Sequence, residues 1–536
     1  MSTPARKWFG FVTAVWIQAI SGNNYTFSNC SDDAISKNFT QLHFLNLSVA
    51  KDVGKAFGIF AGIVSDKLPT SVMLLIGLIE GLVGYGAQWL VVSKTVAPLP
   101  YWQMWVFLFM GGNSTTWMNT AVLVTCMRNF RRKRGRVSGI LKGYVGLSTT
   151  IFTDISGALF SNNPSYFLLM LSVVHAVVCL AAMLFLRVVV EEKEETQQQK
   201  QEKNDYFYIF EIIAVVVAVY LFTYKFSGQY ILAAYFAAGL LLLLVSPVGL
   251  PIYLIFSNYK NSPTSNKKTA LIYVDAEKRI EKKDKIIARR NDRPPELGED
   301  HSFLEVIKTS EFWVVFISFL CAMGTGSVVQ NNMGKIGLAM GHADVSLFVS
   351  LINISSFFGK IASGIVSEYF IRILALPRPF WNFISQILMF LGYISMVFAV
   401  PGSLYIGSII VGFCSGIRLT VTVPTVSELF GLKYFGLMYN IFILNLHLGS
   451  FLFSDLLVGY LDTQTADGGN TCVGIHCYRL LFIIMAVTSL VVIVLDILLT
   501  IRTMPLYKKI CADTYSRGME DQIEKDLEGQ EHAEKG

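Results

Sequence analysis

A chain of 536 residues that is 53% hydrophobic and only 15% charged lacks the makeup of a soluble domain, where about a quarter of residues carry charge. Runs of about 20 apolar residues recur along it, each long enough for a helix to cross hydrocarbon. The net charge of +6 says nothing of nucleic acid until its residues are placed; placed between apolar runs, they describe membrane topology, and no nucleic-acid partner is expected.

In chain order the spans are predicted at 8–28, 41–65, 70–92, 101–127, 138–160, 165–187, 206–224, 229–257, 309–332, 343–367, 380–399, 403–426, 436–460 and 479–501, fourteen in all. The first begins at Trp8 with no cleavable signal pattern before it. The stretch 229–256 has no formal charge and no polar face, unlike an amphipathic soluble helix. The expected fold is an all-α polytopic membrane protein, and an even number of spans puts both termini on one side of the bilayer. Arg6, Lys7, the run "RNFRRKRGR" (128–136), the loop 258–308 and the C-terminal tail share one face, which holds most of the 44 Lys and Arg. That asymmetry places both termini in the cytoplasm, in the plasma membrane or an endomembrane such as vacuole or endoplasmic reticulum.

The opposite face carries "NCS" and "NFT", so Asn29 and Asn38 are expected to accept glycan, whereas Asn24 and Asn46 sit close to the bilayer. Cys126, Cys179, Cys321 and Cys414 fall in or beside apolar spans and read as small packing residues. Cys472 and Cys477 share the last outer loop at a separation compatible with a disulfide; Cys30 is an alternative partner, and free thiols are the bland alternative. The loop 258–308, with "KRIEKKDKIIARRNDRPPELGED", reads first as a solvated linker that fixes topology and second as a contact for anionic lipid.

"GIVSD" (62–66) returns as "GIVSE" (364–368), and other short matches follow in the same order at nearly constant offset. Trp8 pairs with Trp313, "RNF" (128–130) with "ELF" (428–430), and "IFTDI" (151–155) with "LFSDL" (452–456). The pattern implies two parallel six-helix repeats with two extra helices between them, which resembles the major facilitator fold. The expected units are an N-terminal half (1–190), a linker with two extra helices (191–257), a cytoplasmic loop (258–308), a C-terminal half (309–503) and a cytoplasmic tail (504–536). Gly62, Asp66, Gly364 and Glu368 are then expected at the gate, the glycines letting the second and third helices turn closely and Asp66 and Glu368 supplying a carboxylate there. Only Lys67 follows Asp66, so the basic part of the superfamily loop pattern is incomplete.

The segments "WIQAISGNNYTF" (16–27), "DVGKAFG" (52–58), "GLVGYGAQWL" (81–90), "GTGSVVQNNMGKIG" (324–337), "FFGKIASGIVSE" (357–368), "PGSLYIGSIIVGFCSG" (401–416), "SELFGLKYF" (427–435) and "CVGIHCYRL" (472–480) resemble the plant nodulin-like branch of the major facilitators, the nuclear-fusion-defective-4-like proteins. The resemblance spans both halves and implies an integral-membrane facilitator whose cargo it does not name. Glu80, Arg418 and His447 stand where that family leads one to expect uncharged residues.

Ionisable groups deep in a bilayer cost about 2.5–3.5 kcal/mol each on insertion scales, so they are the first candidates for chemistry. Arg418 lies ten residues before Glu428, about 15 Å from the membrane face at 1.5 Å per residue. Its fork suits a carboxylate on a solute, or alternatively an ion pair with Asp455. Asn23, Asn24, Asn113, Trp117, Asn119, Asn331 and Asn332 are candidate solute-binding residues, with helix–helix hydrogen bonding as the rival role. Asp154, Asp455, His447 and Glu80 are the proton-coupling candidates. Each has a bland counterpart: a satisfied core histidine, hydrogen bonding within one half, and packing of Glu80 against Lys55. His175, on a peripheral helix, ranks lower. Lys55 is one turn from Asp52, and Lys360 occupies the matching place in the other half.

No "GxxxxGK[ST]" or "HExxH" is present, so no enzymatic activity, cofactor or metal is expected. The expectation is an alternating-access secondary transporter of a small organic solute, with a carboxylate as one candidate, proton-coupled or a uniporter. The rival is a transport-inactive receptor or scaffold working through its cytoplasmic loop.

Overall fold

A computed structural model describes residues 3–22, 41–97, 99–160, 163–189, 197–227, 233–260, 295–341, 346–398, 400, 402–465 and 476–534. Asn23, Asn24, Asn29, Asn38, Cys30 and Cys472 lie outside these residues, as do most of the long loop and the side chain of Cys477. The described chain is all helical. In the N-terminal part it forms α1 (Thr3–Ser21), α2 (Gln41–Ala56), α3 (Gly58–Val64), α4 (Thr70–Val92), α5 (Tyr101–Asn129), α6 (Arg134–Phe160) and α7 (Pro164–Phe185). Then come α8 (Gln197–Ser227), α9 (Ala233–Val245) and α10 (Gly249–Lys260). The C-terminal part holds α11 (Phe303–Lys308), α12 (Ser310–Ala339), α13 (Ser346–Leu374), α14 (Arg378–Phe398), α15 (Ser403–Leu429), α16 (Phe435–Ser450), a π-helical stretch (Phe451–Leu457), α17 (Val458–Thr465) and α18 (His476–Glu534).

Local chemistry marks several boundaries. Asn163 caps α7 by accepting from the Ser165 amide, with Pro164 in the first turn where its missing N–H costs nothing. Ser302 and Glu305 form a reciprocal capping box on α11. Pro247 sits in a short 3₁₀ turn that joins α9 to α10, so the described part of the expected span 229–257, Ala233–Ser257, is helical with one tighter turn inside it.

Ten helical segments among the described residues are long and apolar enough to cross a membrane. They match ten of the expected spans, including Tyr206–Tyr224 and Ala233–Ser257 between the halves. The expected spans 8–28, 41–65, 101–127 and 138–160 are helical where described but fall outside those ten. The reason is visible in α5 and α6: both bury most of their length and carry polar residues inward, such as Asn113, Thr116, Ser138 and Ser148. A helix surrounded by other helices does not need an apolar exterior. The expected span 41–65 is also interrupted at Phe57, which separates α2 from α3.

The inserted helices pack on the first half. Phe207 and Phe210 of α8 enclose Trp8 together with Phe11 and Phe130, with ring centroids 4.9–5.9 Å apart. Trp16 Nε1 donates to the Leu244 carbonyl at 2.8 Å. The cytoplasmic tail expected from residue 504 is helical where it is described. The last helix runs through Pro505 to Glu534, because Leu506, Tyr507 and Ile510 extend its inward face.

The two sides meet in a reciprocal way. A Cβ on Gly62 of α3 would come within 2.7 Å of the Gly436 carbonyl on α16. A Cβ on Gly364 of α13 would come within 2.8 Å of the Gly135 carbonyl and 3.0 Å of Gly139 Cα on α6. Small residues at both crossings let backbones touch, the usual device for helix association in lipid.

Candidate functional site

The two carboxylates of the repeated pentapeptide lie at the end of the bundle where residues 128–136 gather, here called the basic face. Asp66, just past α3, accepts from Arg128 Nη2 at 2.8 Å. Arg128 also donates across the interface to the carbonyls of Leu432 and Lys433. Burial raises the Asp66 carboxyl above its ordinary value, and Arg128 pulls it back. Leu432 and Lys433 are held in turn by Asp300, which accepts from their amides at 2.9 and 3.0 Å beside Gly431 at φ +84°. The last stretch of the long loop is thus built into the layer.

Glu368 sits deeper. It accepts from Arg378 Nη2 at 2.9 Å, from Arg372 at 3.3 Å, and across the interface from the Gly135 amide at 3.1 Å. Arg378 reaches on to Glu428 through Nε at 2.8 Å, and the Tyr507 hydroxyl donates to the same carboxylate at 2.8 Å. Arg134 donates to the Ser427 carbonyl at 2.9 Å, and Arg372 to the Arg132 carbonyl at 2.9 Å. Gly62, Asp66, Gly364 and Glu368 therefore come together with basic partners, which are drawn from residues 128–136 and 372–378 rather than from the stretch after Asp66. Lys133 in this layer is half-buried; burial, and then Arg372 and Arg136, bring its amine down to about 7.

A buried cluster occupies the interior of the C-terminal side. Arg418 on α15 forks onto Asp496 of α18, Nη1 to Oδ1 at 2.9 Å and Nη2 to Oδ2 at 2.7 Å. Ser318 accepts from Nη1 at 3.0 Å and Gln386 from Nη2 at 3.1 Å. The anionic partner is Asp496 and not Asp455, which stands exposed on the π-helical stretch. Asp496 was not singled out from sequence; a lone carboxylate in the apolar run "SLVVIVLDILL" was the signal.

The other candidates are dispersed. Asn113 donates to Glu80 at 3.2 Å inside the N-terminal side, while Lys55 pairs with Asp52 at 3.1 Å. Trp117 and Asn119 are half-buried on α5. Asn331 and Asn332 both donate to Ser454, tying α12 to the π-helical stretch. His447 bonds the Ile443 carbonyl one turn earlier, and Asp154 is half-buried on α6. No group of three metal-ligating side chains occurs among the described residues.

Nearer the middle of the interface, Lys142 of α6 donates to the Tyr439 hydroxyl of α16 at 2.6 Å and lies 4.6 Å from that ring's centre. Asn440, the next residue, donates to Thr120 at 2.9 Å, and Ser138 donates to the Thr420 carbonyl at 2.9 Å. Sequence reasoning missed Lys142, although "GILKGYVG" places one cation in an otherwise apolar stretch.

Comparison with known families settles the kinship. The Nodulin-like profile matches residues 7–252, and the NFD4 C-terminal domain profile matches residues 299–509. The chain belongs to the nodulin-like family. Protein NUCLEAR FUSION DEFECTIVE 4 of Arabidopsis thaliana is 27% identical over 537 residues, covering 95% of this chain and 91% of that protein. The uncharacterized MFS-type transporter YhjX of Escherichia coli is 27% identical over 157 residues, covering 28% of this chain and 38% of that protein. The probable transporter MCH1 of Yarrowia lipolytica is 26% identical over 185 residues, covering 32% and 38%. A solved structure of the Major Facilitator Superfamily transporter FucP in the outward conformation covers 90% of this chain and 98% of its own, with TM-score 0.49 and 11% identity. With ten membrane-crossing helices and this kinship, the chain is a multi-pass integral membrane protein.

Proposed function

We propose that the protein is a secondary transporter that moves a small organic solute by alternating access between its two halves. The observation that carries this reading is the reciprocal crossing. The helix bearing Gly62 packs on α16 of the other half, and the helix bearing Gly364 packs on α6, each through backbone-to-backbone contact. Two units joined this way can rock about the interface with little side-chain obstruction. The basic face supplies the latch: Asp66, Glu368 and Glu428 and their arginines bond across or beside the crossings on that one end. Breaking a layer of charge-assisted hydrogen bonds opens that end, and reforming it closes it. An uncharacterized MFS-type transporter and a probable transporter among the relatives support the same reading.

The test is uptake by purified protein in liposomes, across neutral, cationic and anionic organic solutes. At least one solute should accumulate saturably. Gly364→Val should abolish that uptake while the protein still inserts, since the added side chain meets backbone atoms that cannot yield. No uptake of any solute by well-folded wild-type protein would overturn the reading.

A further inference from the structure

The transport reading leaves the solute unnamed, and two lysines narrow it. Lys142 and Lys360 are both buried, at 4% and 8% exposure, and they come from opposite halves. Their surroundings bring the two side chains to the same face of α6. The backbone carbonyl of Lys360 lies 2.9 Å from where a Cβ on Gly139 would sit, and its ammonium lies 2.7 Å from where a Cβ on Gly146 would sit. Lys360 therefore runs along α6 from Gly139 to Gly146. Lys142 falls between those glycines, three residues after one and four before the other, and so projects from the same face. Only glycine at 146 leaves room for the ammonium where it is.

Neither amine has a carboxylate partner among the described residues. Among the described residues Lys360 makes no ion pair and its side chain donates no hydrogen bond, while the Lys142 ammonium has only the hydroxyl and ring of Tyr439. Two like charges with no counter-charge are unfavourable inside a protein, where buried cations are normally paired. Phe357 and Ile361 close the groove against Gly143 with apolar surface. A hydrated inorganic ion gains little from such a wall; an anion with a short hydrocarbon body gains both the charges and the contact.

We propose that Lys142 and Lys360, with Tyr439 beside them, form a binding site for a small organic carboxylate at the interface of the halves. This deepens the transporter reading by naming the solute class, and it also makes a claim about binding that stands without transport. Each half contributes one cation, so an anion held by both replaces repulsion between the halves with a bridge.

The experiment measures binding on the whole protein in detergent or nanodiscs, by calorimetry and by thermal shift, with acetate, malonate, succinate, phosphate and sulfate as probes. At least one carboxylate should bind and raise the melting temperature in a concentration-dependent way. Lys360→Gln and Lys142→Gln should each weaken that binding by about ten- to a hundredfold, the loss expected for one charged hydrogen bond. Lys360→Arg, which keeps the charge, should retain more affinity than Lys360→Gln. Binding of phosphate or sulfate alone overturns the carboxylate assignment. Absence of any anion effect, or equal binding by Lys360→Gln protein, overturns the site. Saturable uptake of a neutral solute without anion binding would remove this site and leave the transporter reading standing. Carboxylate binding without any uptake would do the reverse.

Discussion

Arg418 and Lys360 are both cations buried in the C-terminal half, at 3% and 8% exposure, yet they are treated in opposite ways. Arg418 is surrounded by its own helices: Asp496 supplies the counter-charge, and Ser318 and Gln386 accept from its two terminal nitrogens. Every partner comes from the same half, so rocking of the halves leaves the cluster intact. Lys360 points out of that half toward α6, where glycines make room and no carboxylate among the described residues pairs with it. A cation neutralised within one half is part of that half's architecture. A cation left without counter-charge between halves is available to a ligand.

The comparison breaks first on Arg418. Arg418→Gln strands Asp496 without its counter-charge, and removing one partner of a buried pair costs about 3–5 kcal/mol. Expression and melting temperature of Arg418→Gln protein should fall sharply, and Asp496→Asn in the same chain should restore most of the loss. If the single variant folds as well as wild type and loses only anion binding, Arg418 belongs to the solute site and the contrast with Lys360 is wrong.

Lys360→Met should change stability in the other direction. It replaces an unpartnered amine with an apolar chain of similar length, relieving a burial cost of about 1–3 kcal/mol. The ligand-free variant should melt above wild type. A fall like that of Arg418→Gln would mean that Lys360 has a structural counter-charge, and the site between the halves would lose its basis.

How much of this was legible in the sequence follows from what each feature depends on. The apolar runs announced ten crossing helices because lipid imposes length and composition locally. α5 and α6 announced themselves less well, since helices shielded by neighbours escape that demand. The repeat "GIVSD"/"GIVSE" led to the two helix crossings because a close approach needs glycine in the sequence itself. The cost of Arg418 was legible, but its partner was not. Asp455 and Asp496 are both isolated carboxylates in apolar spans, and only the packing of α15 against α18 decides between them. Lys142 escaped notice for a related reason: its significance lies in Lys360, which arrives from the other half. The contact of Tyr507 with Glu428 was not legible, because the two meet only once the helices are assembled.

Gly146→Ala offers a smaller and more selective change. The added methyl meets the mobile end of Lys360, not backbone, so the side chain can move aside. Alanine also favours the helix by up to about 1 kcal/mol over glycine. Melting temperature should therefore stay within a degree or two of wild type or rise. Carboxylate affinity should nonetheless fall several-fold, because the ammonium is displaced. Calorimetry beside thermal melting separates the two readouts, and unchanged affinity would show that the position of that amine does not matter.

Lys133 supplies the intermediate case, a half-buried cation at the basic face with charges of both signs around it. Burial, then Arg372 and Arg136, outweigh Glu368 and Glu211 and lower its amine from 10.5 to about 7. Between those values the unfolded chain holds a proton that the folded protein has released, so stability should rise with pH across that window. Below about 7 the folded protein carries the charge at a cost, and above 10.5 both states are neutral and the cost disappears. Lys133→Met removes the titrating group. The variant should melt above wild type at pH 6.5, and the gap should narrow steadily toward pH 9 as wild type sheds the proton. This is the smallest of the expected effects, because solvent reaches part of the side chain. A gap that stays constant across that range would show that Lys133 keeps its proton in the folded protein, and that the neighbouring carboxylates satisfy it as Asp496 satisfies Arg418.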